Sequence, residues 1–548
     1  MINVINTSNG IKNPCVCVIT GGLLSVDERS VWQALSKQLK QYRQSKHQWL
    51  ETKIKIVSSE PVVLSRIHPK TKVVKEYFSR SVENLPDLTE VVLIDEIAKQ
   101  GLDYSTLTCD DIFQMNTTSV SIIKEASVLF ISTTLLHDLS ELNTLLLHIE
   151  KYQKRIVLGG ALAGSLYKLW EGDPRVDILA IGYGEYLIPI LCDWIKSDFT
   201  ILDPQNGKIT QSNQKTKFLF STLPKEKSLD FIERPRWNNL VKNKSYRKIA
   251  YESVRGCPYR CSFCNYPYLF NDKVFRMKSA LKIADDWEKY AKEGVEHIVC
   301  LDSLFTMPKQ RTEELCNALI KRGVKINWTC YARADDLRDK EFVRLMYDAG
   351  ARQFQIGVES GSQVVLDAMN KRCTVESNYL AIQNCRAAGI TSVVSVIVGF
   401  PEETEQTIQE TIQFLDHSRP DFHFLATFSV RVEDVPILNE QSRKKYGLVK
   451  HDNPYSFAPY WKHATMSCEK VGIYVRQMNE YLITNKISLD GSIFYSQIDH
   501  YHPDIRTDLL DFQHQCFNSH KMIRSTFDLI NKYVDKKLQA DINQIVMR

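Results

Sequence analysis

The sequence has no long apolar run, no strong charge imbalance and no pattern at its start that would predict a secretory signal. Its longest apolar stretches, such as Val393 to Phe400, are far shorter than the roughly 20 residues that a membrane helix needs. The 70 lysines and arginines exceed the 65 acidic residues by only five, so the charge gives no case for a nucleic-acid partner. No basic segment followed by an apolar stretch opens the chain. These absences predict a cytoplasmic protein with neither a membrane nor a nucleic-acid partner.

Closely spaced cysteines are also rare. The chain has 14 cysteines, and three of them, Cys257, Cys261 and Cys264, form a C-x3-C-x2-C loop directly after a strand-like run. A four-iron cluster takes four thiolate ligands, so three cysteines leave one iron with an open coordination position. The alternative is a structural zinc loop. Zinc sites usually combine two pairs of ligands, and no second pair lies nearby, so the spacing favours an iron–sulfur cluster.

This loop resembles the signature of the radical S-adenosylmethionine (radical SAM) superfamily, and Phe263 matches the aromatic residue usual before the third cysteine. The resemblance implies that the three cysteines hold a [4Fe–4S] cluster whose open iron is chelated by SAM. One electron from the cluster then splits SAM into methionine and a 5′-deoxyadenosyl radical. It also implies an electron donor such as flavodoxin or ferredoxin. Such an iron site suits a cytoplasm protected from oxygen.

Strand and helix patterns alternate from about residue 248 to 432. The short apolar strands are typical of a parallel sheet buried on both faces, and amphipathic helices ending in glycine lie between them. Six such units predict parallel strands with right-handed crossovers. The radical SAM resemblance implies a (β/α)6 partial TIM barrel. The strands that we predict are Lys248–Val254, His297–Leu301, Ile326–Ala332, Arg352–Val358, Thr391–Val398 and Phe422–Val430.

The upstream region reads as a second α/β unit of Rossmann-like type. Predicted strands at Glu90–Asp95, Ser127–Ser132, Ile156–Leu158 and Asp177–Ile181 accompany a helix at Asp138–Tyr152. Glycines after two of these strands let a ligand approach the backbone, although tight turns are an equal alternative.

The glycine turns of this unit also resemble the end of the cobalamin-binding domain found in the B12-dependent branch of the radical SAM family. The chain has Gly182-Tyr183-Gly184-Glu185 where that branch usually has G-E-G-E, and the D-x-H-x-x-G motif is missing. The branch often lacks that histidine. The resemblance implies cobalamin contacts at the strand-end turns, namely Asp95, Ile97, Ser132, Thr133, Leu135, Gly159, Gly160, Gly182 and Gly184.

Further matches at the barrel strand ends imply a SAM site. Strand four runs into a G-x-E-S-G-S element, and strand five carries a G-x-I-x-G-x-x-E element with serine replacing its first glycine. A carboxylate there accepts hydrogen bonds from the SAM ammonium and hydroxyls. An arginine can bind the methionine carboxylate. The implied SAM contacts are Phe263, Asp302, Ser303, Arg333, Glu359, Ser395, Ile397 and Gly399, and His463 is a candidate for the substrate pocket.

A chain of 548 residues is too long for one core. We predict a Rossmann-like, cobalamin-binding domain at 1–195, a linker at 196–245, the barrel at 246–432 and a mostly helical C-terminal domain at 433–548. The first domain should open with a strand near Pro14–Gly21 and a helix at Val31–Tyr42. Tail helices are predicted at Glu469–Asn485 and Ser525–Lys537.

The leading functional hypothesis is a cobalamin-dependent radical SAM C- or P-methyltransferase acting on a small-molecule or natural-product intermediate. The alternative keeps the radical chemistry but not methyl transfer, as in a ring contraction, cyclisation or other rearrangement, with or without B12. A tRNA methylthiotransferase would carry cysteine ligands for a second cluster in its N-terminal domain, and that arrangement is missing here. A non-catalytic iron–sulfur redox sensor would require the SAM-site matches to be coincidental.

Overall fold

The computed structural model describes residues 14–22, 63–65, 67–80, 85–238, 245–431, 435–451, 459–519, 525–527, 529–530, 532–533 and 536. The described residues fall into two compact units. Unit 1 takes those within Met1–Ser25, Asn84–Pro258 and Asn265–Ser303, and unit 2 takes those within Val26–Glu83, Tyr259–Cys264 and Leu304–Arg548.

Unit 1 is built on a sheet with the strand order β2-β1-β3-β4-β5-β7-β6. All neighbours are parallel except β6 and β7, which are antiparallel. The order 2-1-3-4-5 is that of a doubly wound sheet, in which ligands bind outside the carboxyl ends of the strands. The strands are β1 (Cys15–Thr20), β2 (Asp103–Thr108), β3 (Val128–Ser132), β4 (Arg155–Gly159), β5 (Ile178–Ile181), β6 (Lys208–Gln211) and β7 (Lys217–Phe220).

Both faces of this sheet are buried and carry apolar side chains, as expected for parallel strands. Every residue of β3 is buried, and Leu129 and Ile131 share one core with Leu142 and Leu145 of a covering helix. The helices of unit 1 are Leu88–Lys99, Cys109–Gln114, Thr117–Glu125, Leu139–Ile149, Ala161–Leu166, Gly184–Lys196 and Ala280–Lys292. The alternating pattern is therefore confirmed as α/β.

The prediction of a strand at Glu90–Asp95 is wrong, because this segment lies inside the helix Leu88–Lys99. Val91, Ile94 and Ile97 are its buried apolar residues. They recur at the three-residue spacing of one helix face, which a run of consecutive apolar residues conceals. The strand of this region is instead β2, whose polar sequence gave no apolar signal.

The segment predicted as a linker, 196–245, contributes β6 and β7 to the sheet of unit 1. The predicted first barrel strand is divided into β8 (Lys248–Tyr251) and β9 (Val254–Arg255). Strand β8 pairs in parallel with β11 (His297–Cys300), while β9 pairs antiparallel with β10 (Arg276–Met277). The divided strand leads directly into the cysteine loop.

Unit 2 contains a parallel sheet with the order β12-β13-β14-β15-β18. Its strands are β12 (Asn327–Ala332), β13 (Ala351–Glu359), β14 (Thr391–Val398), β15 (Phe422–Thr427) and β18 (Leu489–Asp490), and β16 (Val449–His451) pairs antiparallel with β17 (Tyr460–Lys462). Its helices are Lys72–Ser79, Lys309–Arg322, Lys340–Asp348, Gln363–Ala368, Val375–Ala388, Glu405–Ser418, Glu440–Tyr446, Cys468–Thr484, Gly491–Phe494 and Arg506–Ser519. The tail is mostly helical, as predicted.

Unit 2 also includes a helix from the N-terminal region, Lys72–Ser79. Its buried Tyr77 shares an apolar core with Phe494 and Phe512 of the tail. The sequence divisions at 195, 245 and 432 therefore do not coincide with the two units. The first predicted strand is confirmed by β1, whereas the helix predicted at Val31–Tyr42 lies outside the described residues, and the one at Ser525–Lys537 is described only in part. None of the described helices is both long and apolar enough to cross a membrane.

Candidate active site

The three cysteines of the loop are in no disulfide, and three thiols are the donor set that an iron–sulfur cluster of this kind requires. Cys257 and Cys264 are partly exposed and Cys261 is buried. Cys257 falls in unit 1 and the other two in unit 2. Among the described residues, no group of three or more His, Cys, Asp or Glu side chains is assembled as a metal site. The cluster assignment therefore rests on the motif and on the thiol chemistry.

In unit 1, Asp302 and Ser303 hold the backbone that leads into this loop. The buried Asp302 carboxylate accepts hydrogen bonds from the amide of Ser253 at 2.6 Å, its hydroxyl at 2.5 Å and the amide of Val254 at 2.8 Å. The Ser303 hydroxyl donates to the Gly256 carbonyl at 2.7 Å. Both residues were predicted as SAM contacts. The structure gives them a positioning role at the start of the loop, and SAM contact stays a prediction.

In unit 2, the rest of the loop is held by backbone and aromatic contacts. The amide of Ser262 donates to the Met369 carbonyl at 2.8 Å, and its carbonyl accepts from the Ile437 amide at 2.7 Å. The predicted SAM contact Phe263 lies edge-on to Phe400, with ring centroids 6.3 Å apart. These contacts fix the aromatic residue that precedes Cys264.

Arg333, predicted to bind the methionine carboxylate, is buried at the end of β12. Its guanidinium lies 3.7 Å from the centroid of the Tyr259 ring, which belongs to the cysteine loop. Its Nε donates to Asp335 at 2.9 Å and its Nη2 to the Lys371 carbonyl at 2.6 Å. Arg333 therefore supports the loop through a cation–π contact, whatever else its guanidinium binds.

Glu359, the other charged SAM candidate, ends β13 with a left-handed φ of 62°. Its carboxylate is buried and accepts a hydrogen bond from the Lys371 ammonium at 2.7 Å. Burial lowers the pKa of Lys371, but the charges of Glu359 and then Cys261 outweigh it, so the pKa is raised overall. The lysine was not predicted. It follows a short helix with no motif around it, so only the fold brings it to this carboxylate.

Strand β14 presents Ser395 and Ile397 as half-buried residues between fully buried neighbours, so both predicted contacts lie on one face of the strand. The turn after the strand is braced by Glu403, which accepts a hydrogen bond from the Gly399 amide. Burial raises the pKa of Glu403 to about 7. The motif pointed to Glu402, but the buried carboxylate belongs to the next residue.

His463, the candidate for the substrate pocket, is buried beside the same turn. Its Nε2 lies 3.0 Å from the Gly399 carbonyl and its Nδ1 lies 3.0 Å from the Thr465 hydroxyl. Burial lowers the pKa of this histidine, which favours the neutral ring. Both ring nitrogens have protein partners, so the structure places His463 as a brace for the turn, and substrate contact stays a prediction.

A cavity in unit 1 lies at the carboxyl ends of its parallel strands. The space between its lining residues is about 1580 Å³, which includes a part that is open to solvent. Six of the nine residues predicted to contact cobalamin line it: Asp95, Ser132, Gly159, Gly160, Gly182 and Gly184. No histidine is among the described residues that line it. The topology therefore brings the predicted glycine turns together around one space.

Three residues of the predicted cobalamin set do not line this cavity. Ile97 is fully buried in its helix, and Leu135 is half-exposed. The buried Thr133 hydroxyl donates to the Gly159 carbonyl at 2.9 Å and accepts from the Ala163 amide at 3.0 Å. Thr133 therefore stabilises the turn after β4. Asp95, which does line the cavity, also accepts a hydrogen bond from Arg236 at 2.5 Å.

Charged residues outside the predicted set also line the cavity. Arg255 and Glu185 form a buried ion pair at 2.7 Å. Burial raises the pKa of Glu185, but the charge of Arg255 more than offsets it and lowers the pKa overall. Burial lowers the pKa of Lys278. Its Nζ donates a hydrogen bond to the Tyr251 hydroxyl at 3.2 Å. Of these buried charged residues, only Glu185 belongs to a sequence motif, the glycine turn, so the other two could not be predicted from the sequence.

The class of the protein follows from its fold and its cysteine loop, and comparison with known proteins agrees. Residues 251–415 match the model of the radical SAM superfamily. The chain thus carries a radical SAM domain, which confirms that prediction and implies a [4Fe–4S] cluster and SAM as cofactors. This match covers 165 of the 548 residues, and it does not give the particular reaction.

One curated relative is the anaerobic magnesium-protoporphyrin IX monomethyl ester cyclase of Cereibacter sphaeroides. It is 29% identical over 276 residues, which cover 48% of this chain and 45% of the relative. The matched segment therefore spans about half the length of such relatives.

Two solved structures are similar in fold. The radical SAM methyltransferase TsrM from Kitasatospora setae, with cobalamin and a [4Fe–4S] cluster bound, has a TM-score of 0.53 and 16% identity, covering 68% of this chain and 79% of its own. The cobalamin-dependent SAM radical enzyme OxsB has a TM-score of 0.50 and 18% identity, covering 79% of this chain and 56% of its own. The chain therefore shares the α/β fold of these two structures.

Proposed function

We propose that this protein is a cobalamin-dependent radical SAM enzyme that methylates a small-molecule or natural-product intermediate. The observation that carries the proposal is the cavity of unit 1. Part of its wall is glycine backbone at two turns, which follow β4 and β5. Beyond the adjoining residues, a Cβ atom at Gly159 would meet nothing closer than the Ala180 carbonyl oxygen at 3.9 Å, and one at Gly184 nothing closer than Ile188 at 3.8 Å. The backbone is open to a large ligand at both points.

Cobalamin suits this position because ligands of doubly wound sheets bind at the carboxyl ends of the strands. The residues that would hold it are the glycine turns, Ser132 and Asp95. When bound it would carry the methyl group, while the cluster and SAM would supply the radical. The fold likeness to TsrM and OxsB, which hold cobalamin in solved structures, supports this part of the proposal.

The cysteines Cys257, Cys261 and Cys264 would hold the cluster, and Phe263, Glu359 and the face of β14 would border SAM. The electron would come from a flavodoxin or ferredoxin. These assignments stay predictions.

A radical rearrangement or cyclisation is the second candidate, and the similarity to the cyclase from Cereibacter sphaeroides favours it. The two reactions leave different products from SAM. A methyltransferase of the proposed type yields S-adenosylhomocysteine in addition to 5′-deoxyadenosine and methionine, whereas a rearrangement yields only 5′-deoxyadenosine and methionine.

The test is anaerobic purification followed by measurement of iron, sulfide and corrinoid content. We expect about four irons and one cobalamin per chain. Reduced protein incubated with SAM labelled in its methyl group should pass the label to the corrinoid. A protein that holds the cluster but no corrinoid would reject the methyltransferase in favour of the second candidate.

A further inference from the structure

The buried guanidinium of Arg255 joins two parts of unit 1. Its Nη1 and Nη2 donate to the two carboxylate oxygens of Glu185 at 2.9 and 2.7 Å. Its Nε and Nη2 also donate to Glu252 at 3.0 and 2.8 Å. Arg255 lies two residues before Cys257, and Glu185 directly follows the glycine turn after β5. A bidentate arginine–carboxylate pair fixes the relative orientation of the two side chains as well as the distance between them.

Tyr183 strengthens this connection at the position where the family pattern has glutamate. The Arg255 guanidinium lies 5.1 Å from the centroid of the Tyr183 ring and 4.9 Å from that of Phe270. The Tyr183 hydroxyl donates to Asp272 at 2.9 Å, and Asp272 also accepts from Arg276 at 2.6 Å. The substituted residue thus adds a second contact between the glycine turn and the segments on either side of the cysteine loop.

The backbone just before Cys257 has little freedom to move independently. Asp302 and Ser303 hold residues 253, 254 and 256, and Arg255 is held through its side chain. A shift of the Gly182–Gly184 turn would therefore be transmitted by Glu185 to the start of the loop. Glu185, Glu252 and Arg255 also line the cavity themselves, so a ligand there would meet this network directly.

We propose that the Glu185–Arg255 pair couples occupancy of the cavity to occupancy of the cysteine loop. Both residues act as positioning residues, and the inference rests on the proposed function, in which the cavity takes a corrinoid. Coupling between two sites is reciprocal in binding free energy. The cluster should therefore tighten corrinoid binding by the same factor by which the corrinoid secures the cluster.

The experiment measures the dissociation constant of hydroxocobalamin for the whole protein, by anaerobic equilibrium dialysis, with and without a reconstituted cluster. For the unaltered protein we expect binding to be at least about fivefold tighter when the cluster is present. In Glu185→Gln, which keeps the shape but not the charge, the ratio of the two constants should fall to about one. Iron loss to a chelator should be slower when hydroxocobalamin is present, and this difference should disappear in Glu185→Gln.

The ratio of the two dissociation constants distinguishes coupling from a merely structural role of the pair. A structural pair would change both dissociation constants equally and leave their ratio unaltered. Glu296→Gln removes a carboxylate from an exposed ion pair with Arg247 in the same unit and should keep the full ratio. If Glu185→Gln does not fold, Arg255→Lys takes its place. Lysine lacks the planar guanidinium group that reaches both Glu185 and Glu252.

Two outcomes overturn the inference in different ways. A ratio of one in the unaltered protein, or a full ratio in both variants, rejects the coupling but keeps the proposed function. Failure of the unaltered protein to bind hydroxocobalamin in either state rejects the proposed function as well.

Discussion

At the scale of single residues, the buried pair Glu359–Lys371 gives a stability prediction. Removing one partner leaves the other charge buried without compensation, which costs about 3–5 kcal/mol. We expect Glu359→Gln and Lys371→Met each to lower the free energy of unfolding by that amount in urea titrations. The double variant should lose much less than the sum, because it leaves no unpaired charge.

Asp348→Asn is the matched control in the same unit. It breaks an exposed pair with Arg344, at 3.0 Å, and should change the free energy of unfolding by no more than about 0.5 kcal/mol. Additive losses in the Glu359–Lys371 cycle would mean that the two side chains do not interact in solution. SAM affinity of the same variants then reports separately on whether Glu359 also contacts the ligand.

A second residue-scale prediction concerns the buried carboxyl of Glu403. Its pKa is raised from 4.5 to about 7, so the folded state holds this proton over a pH range in which the unfolded chain has lost it. Stability from this group is therefore fully present below pH 4.5 and is lost as the pH rises to 7. A shift of this size corresponds to about 3 kcal/mol.

Glu403→Gln keeps an acceptor for the Gly399 amide but does not titrate. Relative to the unaltered protein, the variant should gain about 3 kcal/mol in free energy of unfolding between pH 4.5 and 8. Urea unfolding at both pH values, with Glu402→Gln as the control for the exposed neighbour, measures this gain. An equal difference at the two pH values would show that Glu403 does not titrate in this range.

At the scale of elements, the two glycines at the end of β4 differ in the room that a side chain would have. A Cβ atom at Gly160, where φ is 105°, would lie 2.6 Å from the Thr134 hydroxyl and 2.9 Å from its amide. A Cβ atom at Gly159 meets nothing closer than 3.9 Å beyond the adjoining residues. Gly160→Val should therefore disturb the turn and lower the melting temperature, whether or not a ligand is present.

Gly159→Val should leave the melting temperature of the ligand-free protein nearly unchanged but weaken hydroxocobalamin binding at least about tenfold, because its side chain extends into the cavity. Thermal melting and equilibrium dialysis of both variants test this pair of expectations. Unimpaired binding in a folded Gly159→Val variant would exclude this turn as a corrinoid contact.

Elements with strong periodicity could be predicted from the sequence, and those decided by tertiary context could not. Strand β14, which is followed by Gly399, and the helix Lys340–Asp348, which is followed by Gly350, are two examples. The helix Leu88–Lys99 looked like a strand because four consecutive apolar residues hide its spacing. In the candidate site, motif residues were predictable, but Lys371 and Arg255 reach their carboxylate partners only through the fold.

At the scale of the whole molecule, the chain does not divide into its units in sequence order. The helix Lys72–Ser79 belongs to unit 2, where its Tyr77 ring lies 6.1 Å from that of Phe494, more than 400 residues later by their numbering. Phe78 stacks on the same phenylalanine at 5.8 Å. The N-terminal region therefore helps to complete the core of the tail, so truncation at a sequence-based domain boundary would remove part of unit 2.

The last prediction follows from this arrangement. Tyr77 is fully buried, and truncating a buried aromatic residue to alanine costs about 3–5 kcal/mol. In Tyr77→Ala we expect faster amide hydrogen exchange in Gly491–Phe494 and Arg506–Ser519, which share its core, and unaltered exchange in β3 and β4 of unit 1. Val364→Ala, at an exposed position of unit 2, should leave every peptide unaltered. Faster exchange in unit 1, or none in the tail helices, would show that this helix does not support unit 2 as the structure places it.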